Sequence, residues 1–450
     1  MKSIEFFGAS SGEVTGSCYL VTSNELEQVL VDFGMFQGEH DIDELNYRPL
    51  PFAPNGLKAV FLTHAHLDHC GRLPLLVFGG FIGKIYMTSA TRALVEIILN
   101  DAAKVASKDH PEHPLYTTEE VWKTLNMIET VEYDQEITVG NFKALFNDAG
   151  HILGSSSIKL TDTSGESESS IIFSGDLGNT PQSIVKPTEY FDSADYVVME
   201  STYGNSTHPK EDAALIIQEE INEVEKSGGV LLIPAFSIER TQEILHILHH
   251  LKKDGKVQPE TEVFLDSPMG INATQAYLDF TNYYNDEIRS HKDIPFNFEG
   301  LDITDDPKES RKIINVKGPK VIIAGSGMMS GGRIMQHAIT YLPNPTTRLL
   351  FVGYQSDETV GRKILEGAKN VKIDKSTIPV RAHIREIKTL SSHADQPKLL
   401  TWLGHIKGVK RVFLTHGELP QQEDLEEKIK RELKIQDVVL PKLEEKIELL

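Results

Sequence analysis

The sequence predicts an α/β protein in two parts, with a second α/β domain inserted into the first. Three observations carry this. Apolar runs rich in β-branched residues alternate with stretches of helical periodicity, the pattern of βαβ units. The run Val60-Phe61-Leu62-Thr63-His64 near the start is echoed by Val412-Phe413-Leu414-Thr415-His416 near the end, so the chain returns to its opening texture. The length, 450 residues, also exceeds what a single core usually gathers.

Composition is that of a globular chain, 40% hydrophobic and 25% charged. Two cysteines, Cys18 and Cys70, rule out a disulfide framework and fit a reducing cytoplasm. The opening Met1-Lys2-Ser3-Ile4-Glu5 lacks the apolar core of a leader, and no run reaches the length of a membrane span. The expectation is a cytoplasmic protein with no membrane partner. With 45 basic and 66 acidic residues the net charge is −21, which argues against a broad basic face for duplex binding. A polyanionic substrate stays open if bound cations concentrate positive charge locally.

In chain order, residues 2–60 read as β-rich. Strands are expected at Ser3-Ile4-Glu5-Phe6, Tyr19-Leu20-Val21-Thr22 and Gln28-Val29-Leu30-Val31, the last leading to Asp32. A carboxylate at a strand end beside glycine caps local N–H groups or holds a ligand histidine from behind; Asp32 fits both, the second better. Ala59-Val60-Phe61-Leu62 is a buried strand that delivers Thr63-His64-Ala65-His66-Leu67-Asp68-His69. Four metal-grade ligands fall within six positions, and imidazole with carboxylate is the donor set of zinc in an open, catalytic site. A helix is expected to start at residues 71–74.

Helical spacing of Leu94, Ile97, Ile98, Ala102 and Val105 predicts a helix over 90–108, with a second over 119–128. Strands resume and lead to Asp148-Ala149-Gly150-His151. Two further apolar strands run into Gly175-Asp176-Leu177-Gly178 and into Glu200. A lone strand-end carboxylate is more often a turn or cap residue. Several that share one sheet edge with the histidine cluster carry more information, because strand ends bring their side chains together.

From residue 208 the texture changes. A helix over 208–226, a strand near 230, a helix opening at Ser237 and strands near 262, 320 and 347 predict a parallel sheet with crossover helices. His246, His249 and His250 lie on such a helix and are expected as surface or packing residues. The last segment carries Ser391-Ser392-His393-Ala394-Asp395, a helix over 396–405, the strand ending in His416 and a helix over 421–433. The expected domains are 1–207, 208–370 and 371–450, the first and third forming one fold.

Together these residues resemble the metallo-β-lactamase superfamily and, within it, the β-CASP RNA nucleases, similar to bacterial and archaeal homologues of the cleavage and polyadenylation specificity factor endonuclease subunit. The likeness runs from Glu13-Val14-Thr15-Gly16-Ser17-Cys18 to Leu414-Thr415-His416-Gly417-Glu418. Asp32 falls on the first superfamily motif, His64, His66, Asp68 and His69 on the second, His151 on the third and Asp176 on the fourth. Glu200, His393 and His416 fall on β-CASP motifs A, B and C. The chain departs from the family at Ser356-Asp357-Glu358-Thr359, where members usually carry glycine before the threonine.

The resemblance implies an αββα sandwich with an inserted β-CASP domain. It also implies two zinc ions per chain, one on His64, His66, His151 and Asp176, the other on Asp68, His69, Asp176 and His416. Water activated there would hydrolyse single-stranded RNA, His393 held by Glu200 would protonate the leaving oxygen, and Asp32 would orient a ligand. Products would carry 3′-hydroxyl and 5′-phosphate ends, from internal cleavage with 5′-3′ exonuclease activity open. Histidine at motif C goes with RNA rather than DNA substrates. Substrate contacts are expected from Ser237, Arg240, Ser330, Gly331, Gly332, Arg333, Tyr354 and Arg362. A homodimer is open. Rival readings are a non-catalytic RNA-binding scaffold, and a metallo-hydrolase acting on DNA or a small molecule.

Overall fold

The computed structural model describes residues 1–38, 40–290, 295–356 and 359–449. They divide into two compact units, 1–207 with 393–450, and 208–392.

The first unit holds two seven-stranded sheets. One runs Glu445–Glu448, Ser3–Phe6, Tyr19–Thr22, Gln28–Val31, Leu57–Phe61, Lys84–Thr88, Ile128–Val131. The other runs Val438–Val439, Arg411–Thr415, Tyr196–Glu200, Ser169–Phe173, Ser156–Asp162, Phe142–Asp148, Ile137–Val139. Strand periodicity of two explains the layers. Tyr196 and Val198 point into a core shared with Ile4, Phe6, Val31 and Phe61 of the opposite sheet, while Val197 and Met199 join Leu399, Leu403 and Leu425 under the helices Gln396–His405 and Leu419–Lys428. The helix Ser89–Asp109 packs against Lys84–Thr88, on the other sheet. This is an αββα sandwich.

Tyr196–Glu200 runs parallel to both Ser169–Phe173 and Arg411–Thr415. Asp176, Glu200 and His416 therefore leave the sheet at the same edge. The strand Leu57–Phe61 does the same in its own sheet, parallel to Gln28–Val31 and Lys84–Thr88.

The second unit is a parallel six-stranded sheet in the order Leu301–Ile303, Glu262–Asp266, Lys320–Ala324, Val230–Pro234, Thr347–Phe351, His383–Glu386. A separate hairpin joins Asn370–Ile373 to Ser376–Pro379. The expected domain end at 370 is corrected here. His383–Glu386 pairs with Thr347–Phe351, and the hairpin's Val371, Ile373 and Ile378 enter this unit's core, so the insertion continues to 392.

Helix starts differ from the sequence expectation where a cap overrides periodicity. Asp212 accepts from Leu215 N at 3.1 Å, so that helix is Ala213–Ser227 rather than 208–226, and it stops where Gly228 turns at φ 63°. Glu239 takes φ 64°, so the next helix starts at Arg240 and not at Ser237. The helix expected at residues 71–74 splits into the single turns Leu67–Cys70 and Leu75–Phe78. No helix among the described residues is long and apolar enough to cross a membrane.

Candidate metal centre

The histidine motif leaves the strand Leu57–Phe61 and bends at once. His66 precedes the turn Leu67–Cys70, which carries the adjacent Asp68 and His69 on one bend. The bend is held from below. Ser17 N donates to Asp68 O at 2.9 Å and Gly34 N to Ser17 O at 2.8 Å. A Cβ on Gly34 would lie 1.5 Å from Asp68 O, so only glycine permits this approach. The buried Arg72 guanidinium lies 4.6 Å and 4.5 Å from the Phe33 and Phe36 ring centres and donates to the Gly34 and Gly16 carbonyls. It ties down the two loops under the motif.

Five other segments converge on these residues. His151 follows Gly150, whose N–H is held by Asp148 at 2.8 Å, and His151 N donates to Ser155 Oγ at 3.0 Å. Asp176 and Glu200 come from the ends of neighbouring strands. His416 follows its strand at φ 51°. His393 enters from the segment that pairs with Gly178, and Ala394 N donates to Leu177 O at 2.7 Å.

Two donor sets result, sharing Asp176. In the first, His64 Nε2 lies 3.1 Å from His66 Nδ1, His151 Nε2 lies 3.2 Å from His66 Nδ1, and Asp176 Oδ2 lies 3.3 Å and 3.5 Å from His64 and His151. In the second, His416 Nε2 lies 3.2 Å from Asp68 Oδ2, and Asp176 Oδ1 lies 3.2 Å from His69 Nε2 and 3.7 Å from His416 Nε2. Donors bound at zinc distances in a tetrahedron lie about 3.3 Å from one another. These side chains are spaced to fit that geometry. The fit extends to chemistry: Asp176 Oδ1 is buried and accepts no hydrogen bond among the described residues, so its lone pairs face ring nitrogens rather than donors.

At the first donor set the electrostatics suit a cation. Burial first, and then neighbouring imidazoles, hold His64 down to about 4 and His66 to about 3, and push His151 well below the usual range. All three are neutral ligands at physiological pH. Behind them, His69 Nδ1 meets Asp32 Oδ2 at 2.8 Å, and Asp32 also accepts from Thr63 N and Thr63 Oγ1, both at 2.8 Å. Thr63 Oγ1 in turn lies 3.1 Å from His64 Nδ1. Thr202 Oγ1 lies 3.0 Å from His416 Nδ1. Such partners fix which ring nitrogen faces the ion.

His393 stands apart in character. Its Nδ1 is 3.3 Å from Glu200 Oε1 and 4.0 Å from Asp176 Oδ2. Burial opposes its charge, but Glu200 and Asp176 outweigh burial and raise it to about 9. Glu200 also accepts from Leu177 N at 2.7 Å and Thr202 N at 3.3 Å, so it is an anchored partner for His393 more than a third ion ligand.

Sequence reasoning missed Thr63, Thr202 and Arg72. Thr63 and Thr202 stand near motif residues, a weak signal; Arg72 lies in the stretch 71–74, whose sequence suggests only a helix start.

In the second unit, Ser237, the loop 325–332 and Tyr354 follow three adjacent strands, Val230–Pro234, Lys320–Ala324 and Thr347–Phe351. Ser237 Oγ lies 3.3 Å from Ser267 Oγ, and a Cβ on Gly325 would meet both hydroxyls. Ser330 N donates to Ser326 Oγ at 3.0 Å, Gly331 and Gly332 precede the helix Arg333–Tyr341, and Gln355 Nε2 ties Gly327 O to Gly353 O. Tyr354 is exposed, and Arg362 pairs with Glu366 at 2.7 Å. The two arginines expected as phosphate contacts are placed otherwise. Arg240 is buried against Glu243, and Arg333 pairs with Asp266 and donates to the Thr304 and Asp305 carbonyls. Neither presents a free guanidinium, because each has an internal carboxylate. Asp357 and Glu358, in the departing turn, lie outside the described residues.

Comparison with known proteins sets this geometry in a family. Residues 11–202 match the metallo-beta-lactamase superfamily, 241–364 the Beta-Casp domain and 377–441 the Zn-dependent metallo-hydrolase RNA specificity domain. Ribonuclease TTHA0252 of Thermus thermophilus is 37% identical, over 92% of each chain. The chain belongs to the β-CASP branch of the metallo-β-lactamase superfamily. This β-CASP protein is also 32% identical to RNase aCSPSF2 of Saccharolobus solfataricus, over 97% of this chain and 84% of that one. It is 32% identical to Transcription termination factor FttA of Methanosarcina mazei, over 96% and 69%. A crystal structure of a protein of unknown function from Enterococcus faecalis V583 shares the fold over 100% of both chains, with TM-score 0.55 and 14% identity. As a β-CASP protein the chain is a hydrolase with a metal cofactor, and the His/Asp cluster is where its residues could hold one.

Proposed function

We propose that this β-CASP hydrolase is a ribonuclease that cuts single-stranded RNA internally with two zinc ions, leaving 3′-hydroxyl and 5′-phosphate ends. That it is a hydrolytic nuclease follows from its family; the polymer, the ion count and the products are the proposal. The observation that supports it best is the pair of donor sets joined through Asp176, with the protonated His393 alongside. Relatives at 37% and 32% identity are named as ribonucleases.

His64, His66, His151 and Asp176 Oδ2 would hold one ion, and Asp68, His69, His416 and Asp176 Oδ1 the other. When bound, such ions lower the pKa of water and offset charge on phosphoryl oxygens. The chain's own residues supply the rest. Asp32 and Thr63 fix the faces of His69 and His64, and Thr202 that of His416. Glu200 keeps a proton on His393, which donates it to the departing 3′-oxygen as the P–O bond breaks.

The test uses internally labelled RNA carrying a 5′-hydroxyl, monophosphate or triphosphate end, a matched single-stranded DNA, and metal analysis. RNA should be cut and DNA spared, with about two zinc ions per chain. His393→Ala should slow cleavage by about 10²- to 10⁴-fold and leave the metal content unchanged. Equal cleavage of DNA overturns the choice of polymer. Loss of metal along with activity in His393→Ala overturns its role as acid. A marked preference for the monophosphate end adds 5′-3′ exonuclease action.

A further inference from the structure

The acidity of this chain is uneven. Residues 359–390 hold eight Lys and Arg against three Asp and Glu, while the rest of the chain holds 37 against 63. Three of the eight cations are neutralised within the second unit: Arg362 by Glu366, Arg385 by Glu219 and Glu220, and Lys388 by Glu386. Lys369, Lys372, Lys375 and Arg381 are exposed and make no ion pair among the described residues.

Those four sit on or beside the hairpin of Asn370–Ile373 and Ser376–Pro379. Alternation sorts its side chains. Val371, Ile373 and Ile378 enter the core of the second unit, so the hairpin is anchored. Lys372, paired across the strands with Thr377, is turned outward. Lys375 lies in the connecting turn. Val380 N donates to Lys369 O at 2.8 Å and Arg381 N to Leu342 O at 2.8 Å, which fixes the backbone at Lys369 and Arg381 too. The one acid on the hairpin is Asp374. These are four exposed cations on or beside one anchored hairpin of an otherwise negative protein.

We infer that Lys369, Lys372, Lys375 and Arg381 form an accessory docking surface for the phosphate backbone of single-stranded RNA, outside the catalytic cluster. This rests on the ribonuclease reading. Unpaired, exposed cations on a fixed backbone are what a polyphosphate recognises, and each contact releases a counterion. The chemistry favours a backbone over a protein partner. None of the exposed large apolar side chains falls within residues 362–390, whereas protein interfaces draw their affinity from buried aromatic anchors. The same lack of aromatics leaves nothing there to stack on bases, so binding should be indifferent to sequence.

The experiment compares the full-length parent with K369E/K372E/K375E/R381E and with the alanine quadruple variant, whose folding is checked by thermal unfolding. Fluorescence anisotropy follows labelled uridine and adenosine homopolymers of about 30 nucleotides over a salt series, and turnover is read on an RNA of about 5 nucleotides. Both variants should weaken binding of both long homopolymers, by about tenfold or more, and lower the log–log salt slope by about 2 to 3. Turnover of the short RNA should hold within about twofold. A folded variant with parental affinity and salt slope overturns the docking surface. An equal loss on the short RNA also overturns it, since the four residues would then act at the catalytic cluster. A parent that cuts no RNA overturns the ribonuclease reading, which cleavage reports separately from binding.

Discussion

Asp176 and Asp266 make an instructive pair. Both are buried carboxylates at or just beyond the ends of parallel strands, one in each unit. Asp266 has its counter-charge built in: Arg333 pairs with one oxygen, while His337 Nε2 at 2.7 Å and Ser310 Oγ at 2.6 Å serve the other. Asp176 lies within 4.0 Å of five imidazoles, with no lysine or arginine ion-paired to it among the described residues, and one of its oxygens accepts no hydrogen bond. A buried carboxylate must be compensated. Where the chain supplies a guanidinium, the result is a structural joint. Where it supplies ring lone pairs instead, the result is a donor set for a cation.

The contrast can be broken most severely at Asp176. Asp176→Ala removes a ligand from both sets, so metal analysis should show loss of bound ion, and cleavage should fall by about a thousand-fold or more. Asp266→Ala should leave metal content and its affinity alone but lower the urea midpoint, by a loss of about 3 kcal/mol, since three donors lose one acceptor. If the two effects were exchanged, the distinction would collapse.

A finer test is Asp32→Asn, which keeps the shape but weakens the hold on His69. Metal affinity, measured by competition with a chelator, should drop about 10- to 100-fold. A test that touches stability and its pH dependence alone concerns Glu239, a second buried carboxylate in the second unit. Burial first, and then Glu243, push it up to about 8, and the Tyr277 hydroxyl donates to it. The folded chain therefore keeps a proton that the unfolded chain has lost. Stability should fall as pH rises from about 5 to about 8, by about 1.4 kcal/mol for each whole pH step. Glu239→Gln should flatten that slope in urea unfolding, and an unchanged slope would mean the carboxyl is ionised in the fold.

Much of the first unit was legible because its signals are local. Val60-Phe61-Leu62-Thr63-His64 and its echo at Val412 state both strand and ligand within five residues. The insertion's end was not legible. His383–Glu386 belongs to the second unit through a pairing with Thr347–Phe351, some 35 residues earlier in sequence, and nothing in Ile384-Arg385-Glu386 announces that partner. Arg333 was illegible for the same reason: Asp266 is 67 positions from it, and only folding shows that the carboxylate takes the guanidinium. Arg240 differs, since its partner Glu243 lies three residues on in the same helix.

Residue type and order alone settled which groups this chain could offer to a metal, because ligand chemistry is a property of each side chain and strand ends announce themselves locally. Tertiary structure alone decided which charges meet. It left Asp176 among ring nitrogens and Lys372 in solvent, and it closed Asp266 with Arg333, because electrostatic energy depends on distance in space and not on separation along the chain.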